Sequence, residues 1–252
     1  MMSRNFSRTG LWLFMFAVFW YLVANFLLDD LKKEQIARAY GGRLKQEYVS
    51  IGSNNKLVIR TTGEDFSVHN VSLVFDPGLT QALIKNENVQ IAVNTQMQDG
   101  VLTLGMVQAD VSVNDRHSSS LIEIRLPSSV NQVEFAGHGT IKISGNFPST
   151  STELMLKSLS CDASLSIEGL TVAQLNYQVS SKQEENKKTC FPVFDMSAVN
   201  RIDKLEVSMS HGRLNVGNKI TPKTTVLTLS DDVNVTAQSE FLRAATFKPY
   251  VP

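Results

Sequence analysis

The sequence predicts a mainly β fold: a β-solenoid, or alternatively a β-sandwich, preceded by one N-terminal transmembrane helix and a short juxtamembrane helix. Three observations predict it. An uncharged apolar run occupies residues 10–28, apolar and polar residues alternate from about residue 50 onward, and a two-strand unit recurs behind Pro127. A chain of 252 residues holds one large domain or two small ones once a targeting segment is set aside.

The apolar run, Gly10 to Leu28, reads GLWLFMFAVFWYLVANFLL and carries no charge. At 1.5 Å rise per residue it spans about 28 Å, close to the thickness of a bilayer's hydrocarbon core. A soluble helix of that length would show a polar face, and this one has none. Arg4 and Arg8 precede it, and Asp29-Asp30 close it. A cleaved signal peptide needs small residues at −3 and −1, and the best site, after Ala24, puts the bulky Leu22 at −3. A retained signal anchor follows. Lys32, Lys33, Arg38 and Arg43 behind the span weigh against the positive-inside count. The short basic head and the charge-poor β-rich remainder weigh for export, so the expected order is a cytoplasmic tail over 1–9, an anchor over 10–28, and the β domain outside.

Residues 29–48 read as a juxtamembrane helix or linker. Ile36, Ala37, Tyr40, Leu44 and Tyr48 recur at three- and four-residue spacing, which puts them on one helix face. Gly41-Gly42 interrupts that face and predicts a hinge or a helix end.

Behind residue 49 the period becomes two. Leu57 to Ile59, Phe66 to Val68 and Val71 to Phe75 read as strands, and Asp76-Pro77-Gly78 as a turn with a short helix over Leu79 to Asn86 behind it. Val89 to Val93 and Val101 to Leu104 flank Asp99-Gly100, a hairpin signal. Further strands are expected at Val107, Val111 to Val113 and Ile122 to Leu126. Residues 49–126 thus form a β-rich N-terminal part or cap, and 127–252 a β-repeat part.

The repeat is a pair of short apolar strands around a polar turn. Val133-x-Phe135 precedes Ile141-x-Ile143, Leu159 precedes Leu165-x-Ile167, Val207-x-Met209 precedes Leu214-x-Val216, and Leu227-x-Leu229 precedes Val233-x-Val235. Ile141 to Leu165 is 24 residues, Leu214 to Val233 is 19, and Leu165 to Leu214 is 49, which leaves room for one rung between. Leu175 to Val179 and Phe191 to Phe194 are the residues to supply it. A period of this length with two-residue alternation suits stacked coils, each burying its apolar face on the next, with the tail 241–252 as a candidate cap. An antiparallel sandwich of short strands would share the turn spacing.

VNQVEFAGHGTIKISG, residues 130–145, follows Leu126-Pro127 with a V-x-F-x-G-x-G-x-I-x-I-x-G cadence. In this it resembles the auto-transporter adhesin head domain family of bacterial envelope proteins, over about residues 120–240. The resemblance implies an exported or membrane-anchored β-solenoid, and with the apolar run it implies a single-pass protein of the bacterial inner (cytoplasmic) membrane with a periplasmic or extracellular β domain. It carries no functional residues to this chain.

Formal charge is zero, from 24 basic and 24 acidic residues, so the basic excess of a nucleic-acid binder is missing. No nucleotide-binding, nucleophile-elbow or calcium-repeat motif occurs, and no catalytic, cofactor or metal residues are assigned. His138-Gly139 and His211-Gly212 hold equivalent places in two repeat units. They read either as a stacked pH-sensitive pair or as turn chemistry before a positive-φ glycine. Asp29-Asp30, Glu184-Glu185 and Asp231-Asp232 read as solvated turns. Cys161 and Cys190 are the only cysteines; they allow one disulfide or stand as two thiols. The expected function is that of a non-catalytic accessory or scaffolding subunit in the cell envelope. Its partners would be the membrane and a membrane protein met through the transmembrane and juxtamembrane helices, with Gly10, Ala17 and Ala24 forming a small-residue stripe. A ligand-binding or adhesive module for glycan or envelope polymer is the alternative.

Overall fold

The computed structural model describes residues 45–50, 55–62, 67–87, 91–98, 101–108, 121–148, 152–160, 163–179 and 191–251. The predicted tail and anchor, residues 1–28, lie outside them. Among the described residues no helix is long and apolar enough to cross a membrane.

Residues 45–252 form a unit of their own. It is mainly β, with its strands joined in one curled, half-barrel sheet. In chain order the strands are β1 (Lys45–Val49), β2 (Lys56–Thr62), β3 (Ser67–Asp76), β4 (Ala82–Asn86), β5 (Ile91–Gln98), β6 (Val101–Gln108), β7 (Ile122–Pro127), β8 (Gln132–Ala136) and β9 (His138–Asn146). They continue as β10 (Glu153–Ser158), β11 (Ala163–Val179), β12 (Val193–Met196), β13 (Arg201–Met209), β14 (Gly212–Val216), β15 (Thr224–Leu229), β16 (Val233–Thr236) and β17 (Thr246–Pro249), with helix α1 (Ser239–Ala244) before the last.

Pairing sorts these strands into two ladders. One runs β5-β6-β2-β8-β10-β11-β13-β15-β17. The other runs β1-β4-β7-β3-β9-β11-β12-β14-β16. β11 serves both, its first half in the second ladder and its second half in the first. From β8 to β17 every pairing is parallel; the antiparallel pairings join β1 to β4, β4 to β7 and β5 to β6. An antiparallel sandwich would pair these strands the other way.

Alternation explains the core. Along β13 and β14 the buried residues are Ile202, Leu205, Val207, Met209, Gly212, Leu214 and Val216, while the other residues within each strand meet solvent. Parallel stacking then lines up like with like. Val71, Ile141, Leu165, Phe194, Leu214 and Val235 stand in register across the second ladder. Leu57, Val133, Leu156, Tyr177, Val207 and Leu227 do so across the first. Each fully buried side chain of this kind stabilises by about 1.5–3 kcal/mol through the area it removes from water. Tyr177 stacks on Phe194 with ring centroids 4.0 Å apart, which joins the two ladders through the core.

Two sets of corners link the ladders. In one, β11 bends at Gly169, where φ is +69° and only glycine is comfortable. The buried Asn200 fastens that corner. Its Oδ1 accepts from the Leu170 N–H at 2.8 Å, and its Nδ2 donates to the Ile167 and Ala198 carbonyls, each at 3.1 Å. In the other set, serines tie one turn to the next: Gly137 N–H donates to Ser160 Oγ at 2.8 Å, and Ser230 Oγ donates to the Ser210 carbonyl.

Several expectations need correction. The juxtamembrane helix over 29–48 does not extend to its predicted end, because residues 45–48 lie in β1, paired antiparallel with β4; residues 29–44 are outside the described residues. The helix expected over Leu79 to Asn86 is instead β4, whose Ala82, Leu83, Ile84 and Asn86 are buried between β7 and β1. In both segments the open ladder edge outweighs a local helical preference. The pairing of Ile141 with Leu165, the rung at Phe194 and the hairpin of β5 and β6 agree with the sequence reading. The last rung does not: Leu214 meets Val235, two residues beyond Val233. Nor does Leu159 stand on a strand, since Phe135 meets Ser158 and the core leucines of β10 are Leu154 and Leu156.

Candidate functional site

Most polar chemistry faces outward and is spread along the strands. On the second ladder the outward column includes Thr236, Asn215, Asp195, Ser166, Lys142 and Ser72, in register from β16 to β3. Charges on both ladders are compensated locally. Glu123 accepts from Arg125 Nε at 2.7 Å and lies 3.6 Å from Lys85 Nζ. The Arg125 hydrogen bond holds the Glu123 carboxyl below the usual carboxylate range, against a smaller opposing effect of burial. Lys56 pairs with Glu134 at 2.8 Å, and Lys142 with Glu168 at 3.4 Å. Such exposed pairs contribute roughly 0–1 kcal/mol each and set surface character more than stability.

Among the described residues, a corner between β13 and β14 gathers several reactive groups. There the Ser210 hydroxyl lies 2.8 Å from His211 Nδ1, and His211 is buried. Burial lowers the imidazole pKa, and the Asp232 carboxylate opposes that in part. Serine, imidazole and carboxylate are the parts of a hydrolytic triad, but here the serine and histidine are sequence neighbours and Ser210 also serves the turn below through its carbonyl. The corner packs these groups into a turn around a buried imidazole.

The histidines do not form a stacked pair. His138 begins β9 and His211 precedes β14, with β11 and β12 between, a separation of about 14 Å at the usual strand spacing. The glycine behind each does take a positive φ, +126° at Gly139 and +108° at Gly212, as turn chemistry requires. At Gly212 an added Cβ would overlap the Pro192 carbonyl oxygen, so the close stacking of β14 on the segment before β12 also demands glycine. That second requirement had no signature in the sequence.

A shallow hollow of about 200 Å³ lies at the opposite corners, lined by Phe147, Pro148, Thr171, Val172, Arg201 and Asp203 among others. It brings together one arginine and one carboxylate over an apolar floor. Among the described residues no three His, Cys, Asp or Glu side chains gather as metal ligands. Asp231-Asp232 occupies an exposed turn, with the Asp232 N–H donating to Ser230 Oγ at 3.2 Å. Asp29-Asp30, Glu184-Glu185, Cys161 and Cys190 lie outside the described residues.

No family model matches the chain, and no curated protein does. Among solved structures, the chain is similar to one from Clostridium sporogenes described as a "putative cell adhesion protein", at a TM-score of 0.32 and 9% identity, over 82% of this chain and 97% of that one.

Proposed function

We propose that this chain is a non-catalytic envelope protein, anchored in the bacterial inner membrane by residues 10–28, whose β domain is a short two-sided β-solenoid acting as a rigid scaffolding or accessory subunit outside the cytoplasm. The observation that carries this reading is the in-register apolar column from Val71 to Val235. Among the described residues apolar side chains fill the space between the ladders, which supports reading the coils as a solid spacer. Nine strands in one ladder extend about 38 Å at the ordinary strand spacing. The two tryptophans both fall before residue 29, and the outward faces are rich in Ser, Thr, Asn and paired charges. A glycan-binding face would present aromatic platforms, which favours scaffold over adhesin.

The test is to extract the intact chain from its native membrane in mild detergent and identify what remains with it. The scaffold reading expects a stoichiometric membrane partner that is lost when residues 10–28 are replaced by a neutral poly-Leu span. A chain that comes away alone and binds glycans or envelope polymer would move the assignment to the adhesive module.

A further inference from the structure

At one end of the stack β16 finishes the second ladder and β17 the first, and among the described residues no strand pairs with their outer edges. The pairing fixes which backbone groups face those edges. Arg213 and Gly217 donate their N–H groups toward β12, to the Pro192 and Met196 carbonyls. Backbone groups alternate sides along a strand, so Leu214 faces β16 and bonds the residues flanking its partner Val235. The N–H and C=O of Val235 therefore face outward. On the first ladder the Ser230 N–H donates to the Met209 carbonyl of β13. By the same alternation Leu227 faces β17, and the N–H and C=O of its partner Phe247 face outward.

The side chains of this end are unfinished in the same way. Val235 continues the inward column of the second ladder and is half-buried, while Phe247 continues that of the first and is 56% exposed. Asp231 and Asp232, just before β16, and Lys248, within β17, are exposed. Unlike Glu123, Glu134 and Glu168, they have no ion-pair partner among the described residues. One edge is thus acidic at its start, and the other carries a free cation.

We propose that this end docks on the same end of a second copy of the chain, with β16 of each copy antiparallel to β17 of the other. Successive strands alternate between the ladders and each ladder is parallel within itself, so β16 and β17 run in opposite directions. A twofold axis along the strands then sets each edge against its complement. With Val235 opposite Phe247, each presents its outward N–H and C=O to the other, and both side chains carry the apolar columns across the junction. Lys248 then stands opposite Asn234 and diagonal to Asp232, within reach of a long side chain. The interface is isologous, so every contact is made twice.

Sedimentation equilibrium of the full chain in density-matched detergent tests this. The unaltered chain should dimerise reversibly. Asp232→Lys alone and Lys248→Asp alone set like charges across both junctions, and each should weaken dimerisation by roughly tenfold or more. An equimolar mixture of the two variants restores opposite charges at both junctions of a mixed dimer and should recover the original association. An unaltered chain that stays monomeric, association that neither substitution weakens, or a mixture no stronger than its components would overturn the proposal. The strand pairing is read by cross-linking in a chain with serine at both native cysteine positions. Val235→Cys and Phe247→Cys chains oxidised together should link to each other and not to themselves. The absence of that mixed link, or self-linking of the Val235→Cys chain, would overturn the arrangement.

Discussion

The two ends of the curled sheet finish differently. At the end nearer the N-terminus, chain reversal closes each ladder: β5 runs antiparallel to β6, and β4 and β1 run antiparallel beyond β7. At the other end, β16 and β17 continue the parallel direction, and among the described residues no further strand pairs with their outer edges. Burial follows. β14, one rung in, alternates buried residues with solvent-facing ones, whereas no residue of β16 or β17 is fully buried. That end is finished by α1, which places the buried Phe241 and the half-buried Leu242 against the core, and by Pro249, which cannot donate to a further strand. An interior rung takes its stability from neighbours on both sides, while the last rung takes it from one side and the six-residue helix α1.

Substitutions can break or sharpen that contrast. Phe194→Ala, in the middle of the column and against the Tyr177 ring, should cost about 3–5 kcal/mol in chemical denaturation, the largest effect expected. Gly212→Ala should cost about 2–3 kcal/mol, through a strained φ of +108° and a clash with the Pro192 carbonyl that no side-chain movement relieves. Asn200→Ala leaves the Leu170 N–H and two carbonyls without their partner and should cost about 1–3 kcal/mol. Phe247→Ser, at the end of the inward column opposite Leu227 but more than half exposed on the last strand, should cost about 1 kcal/mol or less. Equal losses for Phe194→Ala and Phe247→Ser would remove the distinction between interior and terminal rungs.

A pH titration probes one corner of the same stack. His211 has a folded pKa below its ordinary 6.5 because burial disfavours the cation. Below about 6.5 the unfolded chain takes up the proton first, so the His211 contribution is intact above that value and is lost as pH falls toward the folded pKa. Unfolding measured between pH 7 and pH 5 should show stability falling with acid, with a shallower slope in His211→Gln. The Glu123 contribution, set by its lowered pKa, fades only at lower pH, below the ordinary carboxylate value of 4.5.

Much of the interior was legible in the sequence, because a strand that buries one face must alternate. Ile141 over Leu165 and the rung at Phe194 follow from apolar spacing alone. The ends were not legible for a related reason. β1 and β4 lie where a strand needs only an open edge to pair with, and the periodicity of residues 31–48 suits a helix as well as β1. The shift from Val233 to Val235 opposite Leu214 preserves parity, so alternation cannot distinguish the two registers. At the candidate site, the positive φ of Gly139 and Gly212 was readable from the His-Gly repeats. The burial of His211, the hydrogen bond from Ser230 to the Ser210 carbonyl and the fastening of a corner by Asn200 depend on chain segments 20 to 33 residues apart meeting at the corners, which spacing does not encode.

The central claim is the parallel register itself, and spin-label distances test it most directly. In a chain with serine at both cysteine positions, a label at Ser72 can be paired in turn with one at Asp195, Asn215 or Thr236, which stand three, four and five strands away on one outward column. The distances should rise in that order, near 14, 19 and 24 Å at about 4.8 Å per strand. Distances that fail to increase from Asp195 to Thr236 would contradict the parallel register and the account built on it.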